Sequence, residues 1–287
     1  MEVLLGKSAG YCSGAAYGVN KAEEELNAKQ TKIYCLGSLS HNPQMMARLT
    51  KKGLVTINNL DEIKDHQEVM FRTHGVTKED YEKAAAKGLK VIDLTCVKVI
   101  AVHELAAKYA KEEYYIILIG EKNHPEVLGT QSFCGEYSSV VNEVADILPA
   151  MASFHASKKS KILIISQTTF SLEIFNEYTK IIETEAKGKP VIIQNTICDA
   201  TRIRQAETEE LSKRAQGMII IGGRGSSNTQ KLVDIARKYC PYAVQVETHN
   251  ELDLTKLKSL NRVGVMAGAS TPRDLIDDVI KALENCS

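Results

Sequence analysis

Short runs rich in Val, Ile and Leu alternate along the chain with longer stretches in which apolar residues return every three or four positions. Runs of the first kind suit strands buried on both faces, and stretches of the second suit amphipathic helices laid over them. Strands are predicted at residues 32–36, 68–71, 91–94, 115–119, 162–165, 191–194, 218–221 and 262–266. Helices are predicted at 16–28, 78–87, 101–111, 204–216 and 272–284. Such alternation is the signature of α/β units built on parallel sheets.

The pattern repeats three times. A cysteine precedes a helix in Gly10-Tyr-Cys12-Ser-Gly, in Leu94-Thr-Cys96-Val and in Thr196-Ile-Cys198-Asp-Ala. A strand, a glycine and a polar loop occur in Gly37-Ser-Leu-Ser-His41-Asn, Gly120-Glu-Lys-Asn-His124-Pro and Gly222-Gly-Arg-Gly-Ser226-Ser-Asn. A third set ends a strand in a small polar loop: Arg72-Thr-His74-Gly, Ser166-Gln-Thr168-Thr and Gly268-Ala-Ser270-Thr. His41, His124 and Ser226 follow their cysteines by 29, 28 and 28 residues, and His74, Thr168 and Ser270 by 62, 72 and 72. Two sets of matching offsets in three copies imply a structural repeat. The expected organisation is three similar α/β domains, 14–96, 97–194 and 195–287, with residues 1–13 packing on the third. Ligands of open α/β sheets sit beyond the carboxyl ends of the strands. Packing about a pseudo-threefold axis with those ends inward would bring the three cysteines to the centre.

Composition narrows the function classes. The charges balance, 36 basic against 36 acidic, so the basic surplus expected of a nucleic-acid binder is missing. No apolar run approaches the roughly 20 residues that cross a bilayer, and the first residues lack the layout of a signal peptide. A cytoplasmic protein with neither nucleic-acid nor membrane partners is expected. Its seven cysteines include no C-x-x-C pair, which argues against zinc ribbons and thioredoxin chemistry.

Three thiolates from three domains, each at the partly positive start of a helix, suit a 4Fe–4S cluster with one iron free of protein ligands. A structural zinc would want a fourth ligand and closer spacing. Cys35, Cys134, Cys240 and Cys286 are expected to be buried structural residues. Ser, Thr, Asn and His at helix starts can bind an anion through side chains and backbone amides, although each is also an ordinary helix cap. In His124-Pro125-Glu126 the acid either complements the helix dipole or donates a proton near the cluster. His66, His155 and His249 are expected at the surface, and His103 in helix packing.

At these residues the chain resembles the 4-hydroxy-3-methylbut-2-enyl diphosphate reductase family, also called the LytB family. The resemblance runs from the Gly10–Gly14 segment to Ala267-Gly-Ala-Ser-Thr-Pro272. It rests on His124-Pro-Glu-Val127…Gly129, Ser166-Gln-Thr-Thr169, Thr196-Ile-Cys198…Ala-Thr201…Arg204-Gln205 and Ser226-Ser-Asn228 in that order. It implies a 4Fe–4S cluster on Cys12, Cys96 and Cys198. It implies binding of a small allylic diphosphate by His41, His74, His124, Thr168, Ser226, Ser227, Asn228 and Ser270. It also implies a proton path through Glu126, Thr168 and His124, and an electron donor such as ferredoxin or flavodoxin. Family enzymes remove the substrate's hydroxyl by two-electron, two-proton reduction, giving isopentenyl and dimethylallyl diphosphates.

Three positions depart from the family pattern: Val97 stands for the usual Pro, Gly225 for Asn and Ala15 for Val. Competing readings are a paralogue with the same cluster and another small substrate, and a non-catalytic cluster-based sensor. Quinolinate synthase and the diphthamide-forming proteins offer other chemistry on a similar three-cysteine design.

Overall fold

The computed structural model describes residues 1–286. Twelve parallel-paired strands are found among them. In chain order they are β1 Glu2–Leu5, β2 Ile33–Leu36, β3 Leu54–Ile57, β4 Glu68–Phe71, β5 Lys90–Asp93 and β6 Tyr115–Ile119. The rest are β7 Ser138–Val141, β8 Ile162–Ser166, β9 Val191–Ile193, β10 Gly217–Ile221, β11 Tyr242–Val246 and β12 Arg262–Ala267.

The strands form three four-stranded sheets, ordered β3-β2-β4-β5, β7-β6-β8-β9 and β1-β12-β10-β11. All three share one topology. The first strand of each set has the second on one side and the third on the other, and a fourth strand lies beyond the third. In the last sheet β1, from the start of the chain, occupies that fourth place by pairing with β12, Glu2 opposite Arg262 and Leu5 opposite Val265.

The repeat extends to single hydrogen bonds. The glycine after each first strand donates its amide to the last residue of the second strand: Gly37 to Ile57 at 2.8 Å, Gly120 to Val141 at 2.9 Å and Gly222 to Val246 at 2.9 Å. Each cysteine amide donates to a carbonyl of its sheet's third loop: Cys12 to Ala269 at 3.1 Å, Cys96 to Thr73 at 3.0 Å and Cys198 to Thr168 at 3.0 Å.

By contact the chain forms two compact units. One comprises Met1–Glu23, Ser40–Lys52 and the chain from Asp199 on; the other comprises Glu24–Leu39 and Gly53–Cys198. In the larger unit, β6 (YIILI) and β8 (ILIIS, polar only at its last residue Ser166) are buried along their length because both of their faces are covered. Ile117, Ile119, Ile162 and Ile164 pack with Phe154, Phe175 and Ile182 on one side. Ile116, Leu118, Leu163 and Ile165 pack with Val102 and Ala106 of helix Val97–Lys111 on the other. The smaller unit repeats the scheme, with Ile219 and Ile221 in one cluster and Met218 and Ile220 in another.

Every predicted strand is present. Helices Ser13–Lys29, Val97–Lys111 and Asp199–Arg214 begin three to five residues before their predicted starts at 16, 101 and 204. Apolar spacing misplaces those starts because exposed residues such as Ser13 and Val97 in the first turns break the amphipathic stripe. β1, β3, β7 and β11 are absent from the sequence prediction. All four lie at sheet edges, and β7 (SSVV) and β11 (YAVQV) are only partly buried.

No helix among the described residues is long and apolar enough to cross a membrane. Phe154 is fully buried and meets Tyr115 edge-on, their ring centroids 5.5 Å apart. Phe154→Ala is expected to cost about 3–5 kcal/mol through lost burial and the cavity it leaves, read as a lowered midpoint in urea unfolding.

Candidate functional site

Parallel strands put all their carboxyl ends on one edge, so loops after adjacent strands are neighbours. In each sheet the first, third and fourth strands are adjacent, and their loops carry the residues singled out above. For the middle sheet these loops hold His124 after β6, Thr168 after β8 and Cys198 after β9. The second strand of each set, at one edge, leads to none of the predicted residues.

In the larger unit the loops assemble an acid–base group. Helix Pro125–Phe133 starts at His124, whose Nδ1 accepts the Glu126 amide at 3.1 Å. An accepting Nδ1 carries no proton, so a neutral His124 bears its proton on Nε2. The His74 and His124 rings meet edge-on, 5.7 Å between centroids. Glu126 is 2% exposed, and Thr168 grips both of its carboxyl oxygens. The Thr168 amide donates to Oε1 at 2.5 Å and the Thr168 hydroxyl to Oε2 at 2.8 Å.

These two bonds favour the carboxylate, but burial outweighs them and the nearby Glu121 charge adds to it, raising the Glu126 pKa from 4.5 to about 7. The neutral acid is therefore the form the fold prefers. Its stabilising contribution is complete below about pH 4.5 and is lost as pH rises through about 7.

In the smaller unit, Ser226 caps helix Ser227–Tyr239 by accepting the Thr229 amide at 3.3 Å. Ser226, Ser227 and Asn228 are buried in the first turn. Neither polar atom of the Asn228 side chain has a hydrogen-bond partner among the described residues, and the same holds for Ser270 Oγ. Buried polar groups are rarely left so unless a ligand or water completes them. The loop bearing His41 packs against this turn at Gly223, where an added Cβ would sit 2.0 Å from the His41 carbonyl oxygen. Only a glycine lets the two backbones approach this closely. The result is a helix start that presents hydroxyls and an amide beside the His41 loop, a geometry that accepts anions.

None of the seven cysteines is in a disulfide; Cys12, Cys96 and Cys198 each stand immediately before a helix and are partly exposed, whereas Cys35, Cys134, Cys240 and Cys286 are buried. The Ala15 amide donates to Cys12 Sγ at 3.4 Å. Among the described residues no group of three or more His, Cys, Asp or Glu side chains is gathered for a metal ion.

His103 is buried and stacked on Phe133 at 4.5 Å, and desolvation pushes its pKa down to about 4. It is a neutral packing residue, as its place on an amphipathic helix suggested. Asn42 went unpredicted. It caps helix Pro43–Lys51 by accepting the Met45 amide at 2.9 Å, and its own Nδ2 is buried without a partner among the described residues. The signal was present, since Asn42-Pro43 has the cap-then-proline form of His124-Pro125. Val97 is the exposed first residue of its helix, and a Cβ on Gly225 would meet nothing within 4 Å. Packing demands neither residue.

The LytB protein family profile matches residues 3–284. The chain belongs to the LytB family. A relative from Clostridioides difficile (strain 630), named 4-hydroxy-3-methylbut-2-enyl diphosphate reductase, is 37% identical over 99% of this chain and 100% of its own length. One of the same name from Aquifex aeolicus is 39% identical over 97% of this chain and 94% of its own. A solved (E)-4-hydroxy-3-methyl-but-2-enyl diphosphate reductase, described as the terminal enzyme of the non-mevalonate pathway, is similar with a TM-score of 0.71 and 38% identity. That likeness covers 99% of this chain and 100% of the other. The Plasmodium falciparum E-1-hydroxy-2-methyl-but-2-enyl-4-diphosphate reductase structure is similar with a TM-score of 0.89 and 29% identity, over 98% and 87% of the two chains.

The glycine geometry of the LytB cradle predicts opposite outcomes at neighbouring positions. Gly223→Ala is expected to lower the thermal midpoint by several degrees, because backbone must move to admit the methyl. Gly225→Ala should leave stability within about 0.5 kcal/mol of wild type.

Proposed function

We propose that this chain is a 4-hydroxy-3-methylbut-2-enyl diphosphate reductase of the non-mevalonate route to isoprenoids. The observation that carries the reading beyond family membership is Glu126, a carboxyl poised near neutrality beneath a threonine hydroxyl. The reaction breaks the allylic C–O bond of the substrate. Two electrons and two protons enter, the hydroxyl leaves as water, and a new C–H bond completes isopentenyl or dimethylallyl diphosphate.

Cys12, Cys96 and Cys198 are the residues that would hold a 4Fe–4S cluster, since they alone among the seven cysteines are both partly exposed and placed at helix starts. When bound, such a cluster supplies the electrons and a Lewis-acidic iron for the hydroxyl. The protein's own part is binding and proton delivery. The diphosphate would be taken by His41, Ser226, Ser227, Asn228 and Ser270, together with His74; the Asn228 amide and the Ser270 hydroxyl, buried with no partner among the described residues, suit its oxygens. His124 and Thr168 would complete the substrate contacts.

Protonated Glu126 can donate through Oε2 to the Thr168 hydroxyl, which then turns its own hydrogen outward. A hydroxyl is both donor and acceptor, so the pair can pass a proton without moving either backbone. His124 holds the Glu126 amide and so fixes the start of that helix. We also propose that the three sheets mark domains 14–96, 97–194 and 195–287, the last with residues 1–13. The electron donor is proposed to be a small redox protein such as ferredoxin or flavodoxin, and the compartment the cytoplasm.

The test is turnover by the anaerobically reconstituted chain with reduced methyl viologen and (E)-4-hydroxy-3-methylbut-2-enyl diphosphate. Dye oxidation with formation of both five-carbon diphosphates is expected. An intact cluster without turnover would reject the substrate and point to a paralogue. The rate should fall as pH rises through about 7, as Glu126 loses its proton. Glu126→Gln should cut turnover roughly 10²-fold or more while leaving cluster absorbance unchanged, a usual general-acid contribution.

A further inference from the structure

Each cysteine is reached by a lead-in from the fourth strand of its sheet, and the three lead-ins differ in length. Residues 94–95 join β5 to Cys96 and 194–197 join β9 to Cys198, whereas 6–11 join β1 to Cys12. The two shorter lead-ins are held locally. Asp93 accepts the Thr95 amide at 2.9 Å, and Thr196 Oγ1 donates to the Ser166 carbonyl at 2.6 Å while accepting its amide at 2.7 Å.

The long lead-in is clamped from helix Asp199–Arg214, which begins immediately after Cys198. Glu207 accepts the Lys7 amide at 2.5 Å on one carboxyl oxygen, and the Ser8 amide at 2.9 Å and the Ser8 hydroxyl on the other. One turn earlier on the same face, Arg204 is 4% exposed and donates from Nη2 to the Gly10 carbonyl at 2.5 Å. Its Nη1 bonds the Ala200 carbonyl at 2.9 Å, which fixes the guanidinium to its own helix. Gly10 has φ +99°, a conformation that side chains disfavour, so this loop takes an unusual path to Cys12. Lys7, Ser8, Gly10, Cys12, Arg204 and Glu207 all lie in the smaller unit.

We propose that Arg204 and Glu207 are the positioning residues for Cys12. A cation holds a carbonyl two residues before the thiol, and an anion holds two amides at the loop's start. Both work from the helix that follows Cys198, so the setting of one thiol depends on the helix that begins at another. The inference rests on Cys12 as a cluster ligand, but its first test does not require the cluster.

Amide hydrogen exchange would be measured on the full metal-free chain at Lys7, Ser8 and Cys12, with Ile219 and Val265 in the central strands for comparison. Arg204→Met is expected to speed exchange at Cys12 about tenfold or more, the worth of one hydrogen bond from a charged group. The strand amides should stay protected, and Arg204→Lys should restore much of the lost protection. Glu207→Ala, on the more exposed side of the clamp, should release Lys7 and Ser8 in the same way, and serves if Arg204→Met does not fold.

In the reconstituted chain, Arg204→Met should also release iron to a chelator about tenfold faster. Unchanged exchange at residues 7–12, or equal loss in the strands, would overturn the clamp. A Cys12→Ser chain that keeps its cluster would instead remove the ligand assignment and leave the exchange result standing.

Discussion

A parallel sheet runs all of its strands in one direction, and much of this molecule depends on that constraint. Because the order in each sheet is second, first, third, fourth, the loops after three adjacent strands emerge side by side. One loop carries a helix-capping polar residue, the next a small polar turn, the third a cysteine. Each cysteine amide is then tied back to a carbonyl of the third-strand loop at 3.0–3.1 Å. One backbone plan is thus built three times, with different side chains and different lead-in lengths in each copy.

Those differences divide the labour. The Ser226–Asn228 turn offers buried hydroxyls and an Asn228 amide without a partner among the described residues, suited to an anion. The His124–Glu126 turn offers an imidazole and a buried carboxyl whose neutral form survives to about pH 7. Burial of Glu126 opposes the two bonds from Thr168 and wins, which leaves an acid available where an exposed glutamate would be ionised. A helix start that suits an anion in one copy holds a buried carboxyl in another.

Much of this was legible in the sequence. Continuous apolar runs such as Tyr115–Ile119 announced strands covered on both faces, and polar loops 28 or 29 residues after Cys12, Cys96 and Cys198 announced the repeat. Four of the six edge strands escaped; β7 and β11 among them are only partly buried and lack a strong apolar signature. Helix starts beside the cysteines were drawn late because exposed residues interrupt their first turns. Asn42 was hidden by the neighbouring His41, whose spacing matched the other copies better although Asn42 makes the cap. The Arg204–Glu207 clamp joins residues about 200 apart in sequence, and no local pattern reports such a pairing.

The central claim is that three of the seven cysteines share one task, and it is tested most directly by counting iron. Each cysteine would be changed singly to serine, and iron and sulfide measured per chain after anaerobic reconstitution. The account predicts that Cys12→Ser, Cys96→Ser and Cys198→Ser each lose or degrade the cluster, while Cys35→Ser, Cys134→Ser and Cys240→Ser keep it when folded. Full iron content in any of the first three would contradict it.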